Sequence, residues 1–183
     1  MSRANIRFNY HDYLLLPEDK RYEILDGELY VVPAPNVRHQ TLLGQLLNVL
    51  DRHARENSLG KVLLAPCDVI LSDENIVQPD ILFVSDARLG IIGEANISGA
   101  PDLVVEILSP GTRNRDLEIK RKIYACFGVR EYWIVDPEAE TIDVLVLGDQ
   151  GYSSAAIFGR SDRLSSPLLP ELDLPLSDLF ERA

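Results

Sequence analysis

The sequence predicts a mixed α/β (α+β) chain, and three stretches carry that prediction. Leu103 to Leu108 is an apolar, valine-rich run with Pro101 before it and Pro110 after it, the pattern of a strand buried on both faces. Tyr22-Glu23-Ile24-Leu25 and Glu28-Leu29-Tyr30-Val31-Val32 meet across Asp26-Gly27, a dipeptide suited to a tight hairpin turn, so a β-hairpin is expected near the N-terminus. Val37 to Asn57 places Leu42, Leu43, Leu46, Leu47 and Leu50 with Val49 and Ala54 at helical spacing, and Gly60 follows the end of that helix.

The remaining elements follow in order. Tyr10 to Leu16 reads as a helical turn ended by Pro17. Lys61 to Leu71 and Ile76 to Val84 read as a second pair of strands around Ser72-Asp73-Glu74-Asn75. Residues 85–100, containing Gly, Ala and Asn, read as a mobile surface connection. After the strand at 102–108 come a basic loop, Gly111-Thr112-Arg113-Asn114-Arg115, and a helix from Asp116 to Phe127 stopped by Gly128. Arg130 to Asp136 is a further strand. Thr141–Leu147 and Tyr152–Ile157 form a meander with turns at Pro137-Glu138 and Gly148-Asp149-Gln150-Gly151. The tail from Ser165 is proline-rich and closes with a helix over Leu176–Glu181.

A chain of 183 residues suits one domain, 1–183, and shows no repeat, low-complexity tract or linker. The composition is ordinary for a cytoplasmic protein, with no apolar stretch near the roughly 20 residues a membrane span needs. Met1-Ser2-Arg3-Ala4-Asn5 lacks the apolar core of a signal peptide. Cys67 and Cys126 form no CxxC, which indicates neither a disulfide framework nor a zinc site and suits two small hydrophobes in a reducing compartment. A formal charge of −11 argues against a protein that coats nucleic acid through a broad basic face. It leaves room for an enzyme that meets a phosphodiester through a bound divalent metal, because such a site needs carboxylates.

Two charges stand where apolar residues are expected. Glu106 lies inside the buried strand, and an ionised carboxylate there is costly without a metal, a cation or hydrogen-bond donors. On the following helix Leu117, Ile123, Tyr124 and Phe127 form one stripe at about 100° per residue, and Lys120 falls in the middle of it. A shared site explains both. Asp80 stands directly ahead of the apolar run Ile81–Val84, behind Pro79, a position where a strand start or bulge re-aims a side chain; it also suits a turn or cap. Asp80 and Glu106 on neighbouring strands could hold Mg²⁺ or Mn²⁺ through oxygen ligands, with Lys120 orienting a water for phosphodiester hydrolysis. Glu23 by pattern alone reads as a solvent-facing strand glutamate, and His39 as a residue near the start of a helix with no place in the mechanism. Arg113-Asn114-Arg115 suits either phosphate contact or a solvated loop. No Walker A loop, G-x-S-x-G, HExxH or GxGxxG points to another catalytic class.

The segments Tyr22–Leu29, Arg38-His39-Gln40, Gln78-Pro79-Asp80, Pro101–Pro110 and Gly128–Pro137 resemble the Uma2 family of endonucleases over about residues 10 to 180. The resemblance implies a restriction-endonuclease-like PD-(D/E)xK fold, a central mixed β-sheet flanked by α-helices. It implies metal binding by Asp80 and Glu106, with Glu23 as an additional acidic member. The family pattern wants a lysine two residues after the glutamate, where this chain has Leu108; the resemblance moves that lysine to Lys120, the position the helical stripe also picks out. The expected function is a metal-dependent nuclease acting on DNA as a homodimer. The competing expectation is a catalytically silent protein-binding or dimerisation module on the same fold.

Overall fold

The computed structural model describes residues 6–181; the Met1–Asn5 segment discussed above lies outside them. The short helix α1 (Tyr10–Tyr13) is closed by a capping box from Asn9, and is followed by the hairpin β1 (Arg21–Leu25) and β2 (Glu28–Val32). Asp26 and Gly27 both adopt positive φ, 49° and 74°, as the tight turn requires. The long helix α2 (Val37–Glu56) starts at an Asn36 cap.

Four strands follow: β3 (Gly60–Leu64), β4 (Val69–Ser72), β5 (Asn75–Val77) and β6 (Ile81–Ser85). The sequence suggests two long strands here, and the structure breaks each of them in the middle. β3 pairs with β6, whereas β4 pairs with β5 in a different sheet. The breaks fall at Pro66 and Pro79, which cannot donate to a ladder, so the hairpin changes sheets where its hydrogen bonding lapses. Residues 85–100 are also more ordered than expected. They form a 3-10 turn, Asp86–Ile91, and a short strand β7 (Ile97–Ser98) parallel to β4, because Ile97 is buried in the core.

Next come β8 (Leu103–Ile107), a π-helical turn at Arg115–Lys120, α3 (Arg121–Phe127), β9 (Glu131–Asp136), β10 (Thr141–Gly148) and β11 (Gly151–Gly159). The chain ends with β12 (Arg163–Leu164), β13 (Leu174–Pro175) and α4 (Leu176–Glu181).

The molecule is a mixed α/β protein with two mixed sheets, where one central sheet is expected from the sequence. The larger has six strands in the order β11-β10-β9-β8-β6-β3, with only β8 and β9 parallel. The smaller has five, β2-β1-β5-β4-β7. Alternation along β8 explains the layers. Leu103, Val105 and Ile107 face the core that α2 and the C-terminal segment cover, while Val104 and Leu108 face the core shared with α3 and the smaller sheet. Both faces are covered, hence the unbroken apolar run. Glu106 shares the face of Val104 and Leu108, toward α3. Among the described residues no helix is long and apolar enough to cross a membrane.

Candidate active site

The register of the larger sheet brings the first two acids together. Ile81 pairs with Val105, so Asp80, one residue earlier, sits level with Glu106. Asp80 Oδ2 accepts the Ile107 backbone N–H at 2.8 Å, which anchors the carboxylate at the end of the strand pair. The re-aimed position behind Pro79 is therefore the one the side chain takes.

Glu23 arrives from the other sheet. It is 2 % exposed, against the solvent-facing position that its strand pattern suggests. The face of β1 that carries it is covered by the larger sheet, and Glu23 Oε1 accepts the Gln78 N–H at 2.9 Å. Covering by a second sheet cannot be read from one strand's alternation.

Lys120 ties these acids together. Its ammonium stands 2.8 Å from Glu23 Oε1, 2.9 Å from Glu106 Oε1 and 3.6 Å from Asp116 Oδ1. Asp116 is a site residue that the helical stripe misses. An ordinary α-helix over 116–127 is the expectation, but the first turn is π-helical. Asp116 and Lys120, four residues apart, share one buried face, as i, i+4 residues do along a helix; that spacing and their opposite charge were the available signal. Tyr124 donates its hydroxyl to Glu106 Oε1 at 2.7 Å, and Tyr132 donates to the Asp116 carbonyl at 3.0 Å. Leu108 packs in the apolar core beside them, so no lysine is present two residues after Glu106.

His39 also belongs to the site. α2 begins beside Asp80, and His39 Nε2 lies 3.1 Å from Asp80 Oδ2. If Nε2 carries the proton and donates it there, Nδ1 is left as a buried acceptor without a partner. These six side chains line one cleft of about 200 Å³.

The electrostatics follow from the count. Four carboxylates (Glu23, Asp80, Glu106, Asp116) face one ammonium. Burial raises Glu106 well above the usual carboxylate range, and repulsion from Asp116, Asp80 and Glu23 adds to it, while Lys120 pulls the other way. Asp116 is raised for the same reasons. Burial would lower Lys120, but Glu106, Glu23 and Asp116 more than offset it, so the ammonium stays charged. Burial first, then the neighbouring Glu106 charge, holds both Tyr124 and Tyr132 protonated.

The donor set suits a hard divalent cation. All four acids offer oxygen, the negative charge exceeds the positive, and Asp116 Oδ1 is buried without a hydrogen-bond partner. Among the described residues no three His, Cys, Asp or Glu groups form a ready-made cage.

Of the basic loop, Arg113 pairs with Asp136 at 2.8 Å, and Arg115 lies 5.0 Å from the centre of the Tyr30 ring. Neither touches the acids. Cys67 and Cys126 are both free; Cys126 is exposed rather than packed inside.

The profile of the Uma2 family, described as "Putative restriction endonuclease", matches residues 10–177. A crystal structure described as a putative nuclease from Anabaena variabilis superposes with a TM-score of 0.80 at 22 % identity, covering 95 % of this chain and 98 % of that one. The likeness establishes a shared fold. No curated protein matches the chain.

Proposed function

The chain belongs to the Uma2 family, and from that premise we propose that it is a Mg²⁺-dependent nuclease hydrolysing DNA phosphodiester bonds on one restriction-endonuclease-like domain. The observation that carries the reading is the gathering of Glu23, Glu106 and Asp116 around the single ammonium of Lys120, with Asp80 lining the same cleft.

In this reading Asp80 and Glu106 hold the metal. When bound, the cation neutralises charge on the phosphate oxygens and makes a coordinated water more acidic. The protein's own groups do the positioning. Ile107 N–H and His39 fix the Asp80 carboxylate, Tyr124 fixes Glu106, and Gln78 N–H fixes Glu23. An ammonium has three donors. Two of Lys120's are within hydrogen-bond distance of Glu23 and Glu106, while Asp116 at 3.6 Å is beyond it. The third donor is free to orient a water beside Asp116 Oδ1, the buried oxygen that can take the water's proton. The water oxygen then bonds to phosphorus as the opposite ester P–O bond breaks, and the leaving oxyanion takes a proton from solvent. Cutting both strands of a duplex takes two such sites, so the working unit in this reading is a homodimer.

One observation favours a second reading, a catalytically silent binding or dimerisation module. The Lys120 ammonium already pairs with Glu23 and Glu106 inside the protein, as in a structural buried ion pair. Incubation with supercoiled plasmid in Mg²⁺ and in Mn²⁺, beside Glu106→Ala and Lys120→Ala, separates the two. The nuclease reading expects metal-dependent nicking that disappears in both variants. Nicking lost only in Glu106→Ala would leave Lys120 as charge compensation. Absence of both metal binding and nicking in the wild type would leave the module.

A further inference from the structure

A second cleft, of about 380 Å³, opens from the first and shares Asn36, His39, Ser109 and Pro110 with it. Its character is different. The first holds four carboxylates against Lys120 and Arg21, whereas the second carries Arg38 and Arg113 against Asp136 and Glu138. Asp136 is already engaged, since it accepts from Arg113 at 2.8 Å and from the amides of Glu138 and Ala139 at 3.0 and 3.1 Å. Arg113 uses one nitrogen for that contact and is otherwise open to solvent. Arg38 reaches Glu140 only at 3.4 Å, and its Nε is buried with no partner.

The start of α2 points the same way. The 20-residue helix α2 starts at this cleft, and the Asn36 cap satisfies the His39 amide at 2.8 Å. The amides before it have no intrahelical acceptor, and the positive end of the helix dipole favours an anion. His39, 7 % exposed, lies on the wall common to both clefts and links them to the acids through Asp80, 3.1 Å from its Nε2. The other loop and strand arginines lie outside this cleft: Arg115 stacks over the Tyr30 ring, with its Nη1 buried and unpartnered, and Arg130 faces Asp102. In a chain of formal charge −11 a polyanion needs local cations, and this cleft supplies them next to the acids.

We propose that the second cleft, between Arg38, Arg113 and the start of α2, seats a backbone phosphate adjacent to the one at the acid cluster, so that the substrate is a polynucleotide strand and not a small diester. The proposal rests on the nuclease reading of the first cleft. It also explains why the basic loop divides its arginines, with Arg113 turned to the substrate path and Arg115 to the fold.

The test compares Arg38→Gln and Arg113→Gln with the wild type on two substrates in Mg²⁺ or Mn²⁺: bis(p-nitrophenyl) phosphate, and a short single-stranded oligonucleotide. Each replacement is expected to raise KM for the oligonucleotide about fivefold while leaving KM for the small diester within about twofold, because only the long substrate reaches the second cleft. Binding of a fluorescent single strand, followed by anisotropy against salt, should lose about 0.7 from the slope of log K per arginine removed. Equal effects on both substrates, or an unchanged oligonucleotide KM and salt slope, would overturn the proposal and leave the nuclease reading standing. If the wild type turns over neither substrate the nuclease reading falls, and the anisotropy slope still decides whether this cleft holds a strand.

Discussion

Replacing Lys120 by methionine removes one charge and keeps most of the side-chain volume. The ammonium is 5 % exposed and is the only cation within 4 Å of Glu23, Glu106 or Asp116 among the described residues. Its loss leaves those carboxylates facing one another in a desolvated cleft. Removing one partner of a buried pair costs about 3–5 kcal/mol. At about 2–4 °C per kcal/mol for a protein of this size, Lys120→Met should melt roughly 6–20 °C below the wild type. A divalent cation at the same carboxylates restores the missing charge, so Mg²⁺ should stabilise the variant more than the wild type. At about 100 times the dissociation constant a ligand contributes about 2.7 kcal/mol, enough to recover much of the loss. The assay is thermal unfolding with and without Mg²⁺, beside Glu106→Gln in the Lys120→Met background. A variant that melts at or above the wild type would refute the reasoning, since the carboxylates would then be paying nothing for each other's company. A loss of stability that Mg²⁺ does not recover would separate the ammonium from any metal site.

Three other substitutions test the surroundings. Glu131 is 1 % exposed without a cation, and instead accepts from Trp133 Nε1 at 2.6 Å, Ser166 Oγ at 2.6 Å and the Leu168 amide at 2.9 Å. Glu131→Gln should cost about 1–3 kcal/mol and raise amide exchange at Leu168 and Leu169, leaving the acid cleft unchanged. For Asp102, burial would raise the carboxyl, but the Ser85 amide and Arg88 bring it below its usual range. A depressed folded-state value gives stability that is present above the unfolded value of about 3.9 and is lost as pH falls through the folded one. The destabilisation of Asp102→Asn, read by denaturant titration, should therefore be largest at neutral pH and shrink below about pH 4; a constant difference would contradict this. Tyr124→Phe removes a donor from a buried carboxylate oxygen and should cost about 2 kcal/mol, measured as a shift in denaturant midpoint at unchanged slope.

The elements whose signals are local were legible in the sequence. The Asp-Gly hairpin, the long leucine helix, the strand before Ser109 and the closing helix at Leu176–Glu181 each carry their own turn, cap or periodicity. Lys120 was legible because a cation on an apolar stripe contradicts its surroundings. What escaped depends on partners distant in sequence. Glu23 is buried because another sheet lies over it, which no feature of Arg21–Leu25 records. The second sheet itself was hidden because Lys61–Leu71 and Ile76–Val84 look continuous, and only the prolines at 66 and 79 mark where they change partners. Asp116 escaped because, as the first residue of the expected helix, it reads as an ordinary N-terminal acid, although its i, i+4 spacing to Lys120 was there to be read.

The cation of the site comes from the helical turn after β8 and not from β8 itself. Position 108, where the family pattern wants the cation, lies on the face of β8 that packs on α3, so a lysine there could reach Glu106 only by taking an apolar position in the core. The chain places leucine there and supplies the charge from across the interface. One turn before Lys120 the same helical segment presents Asp116, a fourth carboxylate beside the one ammonium. As a purely structural ion pair the arrangement is wasteful, because Glu106 and Lys120 would already balance and each added acid must be desolvated. The surplus negative charge becomes favourable once a divalent cation shares the cleft, and that cost in the free protein is the physical argument that the residues are arranged for a ligand.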